Sequence, residues 1–217
     1  MVVICFAFPE SSEYLDRGYF EDIRKQGAAP LRSSRVRVFD MLKRNPLQPR
    51  YGQGDLHFIT FSCVGRRPLL GTPAARDCFV RILAEVRNRY RFRLIGYVVM
   101  PEHVHLLVSE PRKDNPSRAM QVLKQRVSIA LLRKNNDDGR TGEHFWQRRF
   151  YDFNVYSGKK LTEKLNYMHM NPLNRKLVTD LRDWPWSSWS HYADEGTGLI
   201  SIDRWDEPAD WAENPHP

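Results

Sequence analysis

Between Val98 and Val108 the chain reads Val-Val-Met-Pro-Glu-His-Val-His-Leu-Leu-Val. Side chains alternate across a β-strand, so His103 and His105 share one face while Val104, Leu106 and Val108 share the other. A strand of this kind must lie in a sheet whose core is on the valine side. Pro101-Glu102 separates it from an earlier strand running from Leu94 to Met100, which predicts a hairpin. Two imidazoles opposite an apolar face are half of a metal site carried by a sheet. A hydrogen-bonded histidine pair at the edge of a core has the same pattern, so the metal reading needs further residues.

The surrounding pattern alternates strands with helices. His57 to Cys63 is β-branched and aromatic, and reads as the first strand. Thr72-Pro73 is an N-cap followed by proline at the first helical position. From there Phe79, Ile82, Leu83, Val86 and Tyr90 repeat at helical spacing, with Arg76, Arg81 and Arg87 on other faces. Asn115-Pro116 opens a second helix with Met120, Leu123, Val127 and Leu131 on its buried stripe, ended by the polar run Asn135 to Arg140. Phe145 to Tyr156 reads as a strand or extended segment. Ser157-Gly158 caps a third helix to about Met170, and Pro172 ends it. The order β-α-β-β-α-β followed by a helix predicts an α+β, ferredoxin-like sandwich, with an antiparallel sheet, helices on one face and an extra C-terminal helix.

Three parts are expected: an irregular N-terminal extension over 1–50, a domain over 51–193 and a tail over 194–217. A short helix around Val36 to Arg44 fits the extension, and Met41 is a candidate alternative start. The opening run Val2 to Phe8 is too short to span a bilayer and lacks a basic leader. Cys5, Cys63 and Cys78 are odd in number and form no CxxC pair, which suits a reducing cytoplasm. A soluble cytoplasmic protein without a membrane partner is expected.

The third helix carries Tyr167. Leu161, Leu165 and Met168 form a stripe that packs down, and Glu163, Tyr167 and Asn171 form a second row beside it. A phenol with a pKa near 10 is only about a thousandth ionised at neutral pH. A divalent cation polarises a phosphodiester, stabilises phenolate character and neutralises a departing 3′ oxygen. Closing the ionisation gap corresponds to roughly 4 kcal/mol, within the range of a metal site. The product is a covalent phosphotyrosine, which keeps the bond energy available for rejoining. Asn171 offers a carbonyl oxygen as a third ligand beside the two imidazoles. Tyr151 and Tyr156 are alternative nucleophiles, without the amide partner on the helix.

Charge supplies a partner. The chain has 34 Lys and Arg against 26 Asp and Glu, a net charge of +8, with a pI near 9.5. From 112 to 150 there are ten basic residues against four acids, so most of the excess is concentrated there. Within it, Phe145-Trp146-Gln147-Arg148-Arg149-Phe150-Tyr151-Asp152 alternates rings and guanidiniums, a pattern suited to stacking unpaired bases while pairing phosphates. Trp146, Gln147, Arg148, Arg149 and Tyr151, with Lys124 and Arg126 on the preceding helix, are the expected DNA-binding residues. The same alternation also describes a strand with its rings in the core.

Met100-Pro101-Glu102-His103-Val104-His105-Leu106-Leu107-Val108, Trp146 to Asp152, Tyr167-Met168-His169-Met170-Asn171-Pro172 and Trp184-Pro185-Trp186-Ser187-Ser188 occur in that order. Together they resemble the single-tyrosine HUH transposases of the IS200 type, most closely the REP-associated tyrosine transposases. The resemblance spans about residues 51 to 193. It implies a ferredoxin-like fold and Mg²⁺- or Mn²⁺-dependent nicking and joining of single-stranded or hairpin DNA, by a monomer or a homodimer. By the same resemblance His103 and His105 fall on the metal ligands, Tyr167 on the nucleophile and Asn171 on the third ligand position, where insertion-sequence relatives more often have Gln. Mg²⁺ prefers oxygen donors, so Mn²⁺ is expected to bind at least as well. The leading expectation is a transesterase that stays on the 5′ phosphate and releases a 3′ hydroxyl. A nucleic-acid-binding regulator without turnover, and a phosphodiesterase using water, are the alternatives.

Overall fold

Four short hydrophobic runs pair into one antiparallel sheet. They are β1 (Leu56–Ser62), β2 (Leu94–Val99), β3 (His103–Ser109) and β4 (Tyr151–Val155), and they lie in the order β2-β3-β1-β4. The computed structural model describes residues 50–133, 144–193 and 198–205. The expected helix at 36–44, the polar run 135–140 and most of the extension and tail lie outside the described residues. With helices α1 (Pro73–Tyr90) and α2 (Pro116–Arg133) as crossovers, this order is the ferredoxin-like arrangement.

The strands' period of two sorts the core into two halves. Ile59, Phe61, Val104, Leu106 and Val108 face α1 and α2, where Phe79, Ile82, Leu83, Val86, Met120, Leu123 and Val127 bury against them. Phe58, Ile95, Val98 and Leu107 face the other way, toward Leu161, Leu165 and Met168 of α3 (Gly158–His169). The extra helix thus covers the side of the sheet opposite the two crossover helices. Thr72 Oγ1 accepts from the Ala75 amide at 3.2 Å, and Asn115 Oδ1 from the Arg118 amide at 3.0 Å, so both crossover helices start at the expected caps. Ser157 caps α3 in the same way, accepting from the Lys160 amide at 3.3 Å.

Gly96 sets how closely α3 approaches. A β-carbon there would meet Leu165 Cδ2 at 2.8 Å and Met168 Sδ at 3.3 Å. The β2–β3 register shifts between Leu94 and Gly96, a local bulge at the same place.

The β2 edge of the sheet is covered, which removes a template for strand addition. The main chain of Trp186 and Ser188 bonds to Val99 and Tyr97 on β2. Asp203 accepts from the Leu94 amide at 2.6 Å and pairs with Arg87 at 2.7 Å. On the other edge, Asn154 of β4 exchanges two hydrogen bonds with the main chain of Arg50.

Arg76, off the apolar stripe, is nevertheless buried: it donates to the Leu70 carbonyl at 2.9 Å and stacks on Trp186 at 3.8 Å and Trp184 at 4.7 Å. The aromatic pair from the distant Trp184-Pro185-Trp186 segment supplies the partner that helical periodicity cannot show. The strand read from Phe145 is shorter. Before Tyr151 only the isolated Cys63–Trp146 bridge joins the sheet, because the Trp146 ring turns into the core.

Candidate functional site

Strand register brings the imidazoles of β3 onto the face covered by α3. His105 lies opposite Thr60 and His103 opposite Ser62. Both rings are buried, at 6% exposure for His103 and 1% for His105, and their Nε2 atoms stand 3.1 Å apart. The outer nitrogens face polar groups: His105 Nδ1 is hydrogen-bonded to Thr60 Oγ1 at 2.7 Å, and His103 Nδ1 lies 3.2 Å from the Glu102 carboxylate. Glu102 pairs in turn with Arg175 at 2.7 Å. These groups orient the rings so that both Nε2 atoms point at one place.

Two free lone pairs at this spacing repel unless a cation or proton lies between them. Two donors about 2.1 Å from one ion and at right angles to each other are roughly 3.0 Å apart, so the pair matches adjacent positions of an octahedral site. Burial pushes the His105 imidazole well down, and His103, Lys164 and Arg66 push in the same direction, so this ring is neutral and available as a ligand.

Tyr167 lies against the pair. Its ring meets His105 edge-on at 5.3 Å between centroids and Phe58 at 6.1 Å, and it is 39% exposed. Burial raises its phenol, while the charges of Arg66 and Arg175 act to lower it. Arg66 sits in the 3-10 turn after β1, at a left-handed φ of 54°, a strained conformation for a residue with a β-carbon. Asn171 is buried past the end of α3 and opens the short helix α4 (Asn171–Asn174). Its Nδ2 donates to the Tyr167 carbonyl at 2.7 Å, which leaves Oδ1 as the free end of the amide. His103, His105 and Tyr167 therefore lie together at one corner of the sheet, where the two Nε2 atoms fit adjacent positions on a divalent ion, and Asn171 is tied to the Tyr167 main chain at the end of the same helix.

The expected DNA-binding residues divide. Tyr151 pairs with Thr60 across β1 and β4, so it shares the imidazole face, and its ring stacks on Phe153 at 6.4 Å. Arg148 and Arg149 are exposed, and Gln147 is half-buried with its amide donating to the Ser62 carbonyl at 2.9 Å. Trp146 is corrected to a core residue: it is 7% exposed, packs on Phe61 and Phe79, and donates from Nε1 to the Lys124 carbonyl at 2.9 Å. No face of that indole is left for a base. Lys124 and Arg126 are on the opposite helix layer, where Lys124 Nζ donates to the Gln147 carbonyl at 2.8 Å and Arg126 pairs with Glu85. These two cations are already engaged within the protein.

Sequence reasoning missed Thr60, Arg66, Glu102, Lys164 and Arg175. Glu102 adjoins His103, and Lys164 precedes Tyr167 by one helical turn, so both were within reach of spacing arguments. Thr60, Arg66 and Arg175 arrive from distant segments and leave no local signal.

Comparison with known proteins gives the same direction. The family of IS200-like transposases matches residues 52–171. The REP-associated tyrosine transposase of Escherichia coli K12 is 28% identical over 154 residues, covering 70% of this chain and 86% of its own length. A Haemophilus influenzae relative is 25% identical over 171 residues, covering 76% and 92%. Among solved structures, a REP-associated tyrosine transposase bound to a REP hairpin superposes with a TM-score of 0.58, at 23% identity over 76% of this chain and 94% of that one. That likeness is one of fold.

Proposed function

This chain belongs to the IS200-like transposase family, and we propose that it nicks and rejoins single-stranded or hairpin DNA through a covalent link between Tyr167 and a 5′ phosphate. The single observation that carries this reading is the phenol lying edge-on to His105, beside two imidazole Nε2 atoms 3.1 Å apart. The REP hairpin bound by the solved transposase of like fold supports a hairpin substrate.

His103, His105 and Asn171 would hold a divalent ion. When bound, Mg²⁺ or Mn²⁺ supplies Lewis-acid polarisation of the phosphodiester and stabilises the developing negative charge. The protein's own residues do the rest. Tyr167 oxygen forms a bond to phosphorus, losing its proton, as the bond to the 3′ oxygen breaks and that oxygen takes up a proton. Rejoining is the reverse, with a 3′ hydroxyl displacing the phenol. Arg66 and Arg175 favour the phenolate that burial disfavours. Thr60 and Glu102 orient the imidazoles, and the Asn171 bond to the Tyr167 carbonyl ties the third ligand to the nucleophile's own helix.

Incubation with a labelled single-stranded hairpin and Mn²⁺ tests this. A protein–DNA band that survives denaturant is expected, absent with Tyr167→Phe and retained with Tyr151→Phe and Tyr156→Phe. Cleavage without an adduct, or an adduct in Tyr167→Phe, overturns the assignment.

A further inference from the structure

Lys164 is the least explained charge in the described structure. It lies on α3 one turn before Tyr167, the residue as a whole is 7% exposed, and no carboxylate among the described residues pairs with it. Its Nζ stands 4.7 Å from the Phe153 ring centroid and 5.2 Å from that of Phe58. The adjacent carboxylate, Glu163, is taken by Lys160 at 2.6 Å. Even partial burial of an ammonium away from an anion is costly, and two aromatic faces compensate it only in part. Burial pushes this group downward from its ordinary value, against a smaller opposing pull from Glu163.

The cage belongs to the site. The Phe58 ring on which Lys164 rests also stacks on His105 at 5.4 Å and meets Tyr167 at 6.1 Å. A cation held over a ring that is shared with a metal-ligand imidazole and a partly exposed phenol is stabilised when an anion enters.

We propose that Lys164 is a phosphate-binding residue of this site, its caged ammonium pairing with a non-bridging oxygen of the phosphodiester presented to Tyr167. The inference rests on the DNA-processing reading above and adds to it the charge that seats the substrate. In the DNA-free protein Lys164 is then a liability to stability, kept for binding.

Lys164→Met keeps the aliphatic stem between the rings and removes the charge. Both it and its parent are prepared in a Tyr167→Phe background, so that binding is read without chemistry. The probe is a thymidine single strand of about 15 nucleotides, beside an uncharged methylphosphonate strand of the same length. Lys164→Met is expected to bind the natural strand about 3- to 10-fold more weakly, with the slope of log affinity against log salt lowered by about 0.7, the value for one phosphate contact. The methylphosphonate strand should not distinguish the two proteins, and Lys164→Arg should restore the slope. Loss of the unpaired charge should leave the melting temperature unchanged or raise it by about 2–4 °C. An unchanged slope, or a lowered melting temperature with equal loss on both strands, marks a structural lysine and overturns the proposal. Should Lys164→Met fail to fold, the ammonium resonance of the parent decides: it must shift with the natural strand and not with the uncharged one. A protein that gives this slope change but forms no Tyr167 adduct would refute the catalytic reading and leave the phosphate site standing.

Discussion

Thr60 Oγ1 stands 2.7 Å from His105 Nδ1 because β1 and β3 are in a register that places the two residues directly opposite each other. This contact fixes the orientation of the imidazole ring. Thr60→Val keeps the β-branched shape that suits the strand and removes the oxygen. Mn²⁺ affinity should fall about 10- to 100-fold, the usual cost of losing a partner behind a ligating histidine. Calorimetric titration with Mn²⁺ checks it; undiminished affinity would mean that the hydroxyl does not orient the ring.

Gly96→Ala should damage activity from outside the site. The added methyl would press on Leu165 and Met168 and lift α3 from β2. Overpacking of this kind costs about 1–3 kcal/mol. Because Tyr167 rides on the same helix, the rate of adduct formation should drop more than hairpin affinity does. Equal losses in both would indicate general unfolding.

Two buried histidines should shape the pH dependence of stability in opposite senses. Burial pulls the His57 imidazole down, but Asp152 at 2.8 Å and Glu110 at 3.6 Å outweigh it, and its folded value is raised. Its contribution is complete below an unfolded value of about 6.5 and is lost as pH rises through the folded value. Burial pushes His169 down to about 3. Its contribution is complete above about pH 6.5 and is lost as pH falls toward 3. Melting temperatures across this range should show His57→Gln flattening the alkaline limb and His169→Gln the acid limb, each by a few degrees. A limb that keeps its slope in the matching variant contradicts the assignment.

The basic residues should separate by layer. Arg126→Ala breaks an exposed pair with Glu85 on the helix side, so about 0.2–1 kcal/mol of stability should go and the salt slope of DNA binding should stay. Arg148→Ala with Arg149→Ala removes two exposed guanidiniums and should lower that slope by about 0.7 per contact made. Filter binding at several salt concentrations distinguishes the layers; a slope change in Arg126→Ala would return that residue to the DNA surface.

Much of the framework was readable from periodicity and breakers. The caps at Thr72, Asn115 and Ser157, the stripes of the two crossover helices and the division of β3 into a histidine face and a valine face all depend on neighbours a few residues away. Misreadings occurred where a side chain's environment comes from far along the chain. Helical spacing puts Arg76 off the apolar stripe, yet Trp184 and Trp186 fold over it, and the alternation of rings and guanidiniums makes Trp146 a base platform, yet Phe61 and Phe79 enclose it.

Local pattern alone determined that two imidazoles would leave one side of a strand and that Tyr167 would ride on a late amphipathic helix, because backbone geometry sets which residues share a face. Only the tertiary fold decided that this helix covers the imidazole side of the sheet, that Thr60 and Glu102 face the outer nitrogens, and that Lys164 lies over the Phe58 ring shared by His105 and Tyr167. Those relationships depend on strand register and on close approach at Gly96, contacts between segments whose separation in the chain carries no periodic signal.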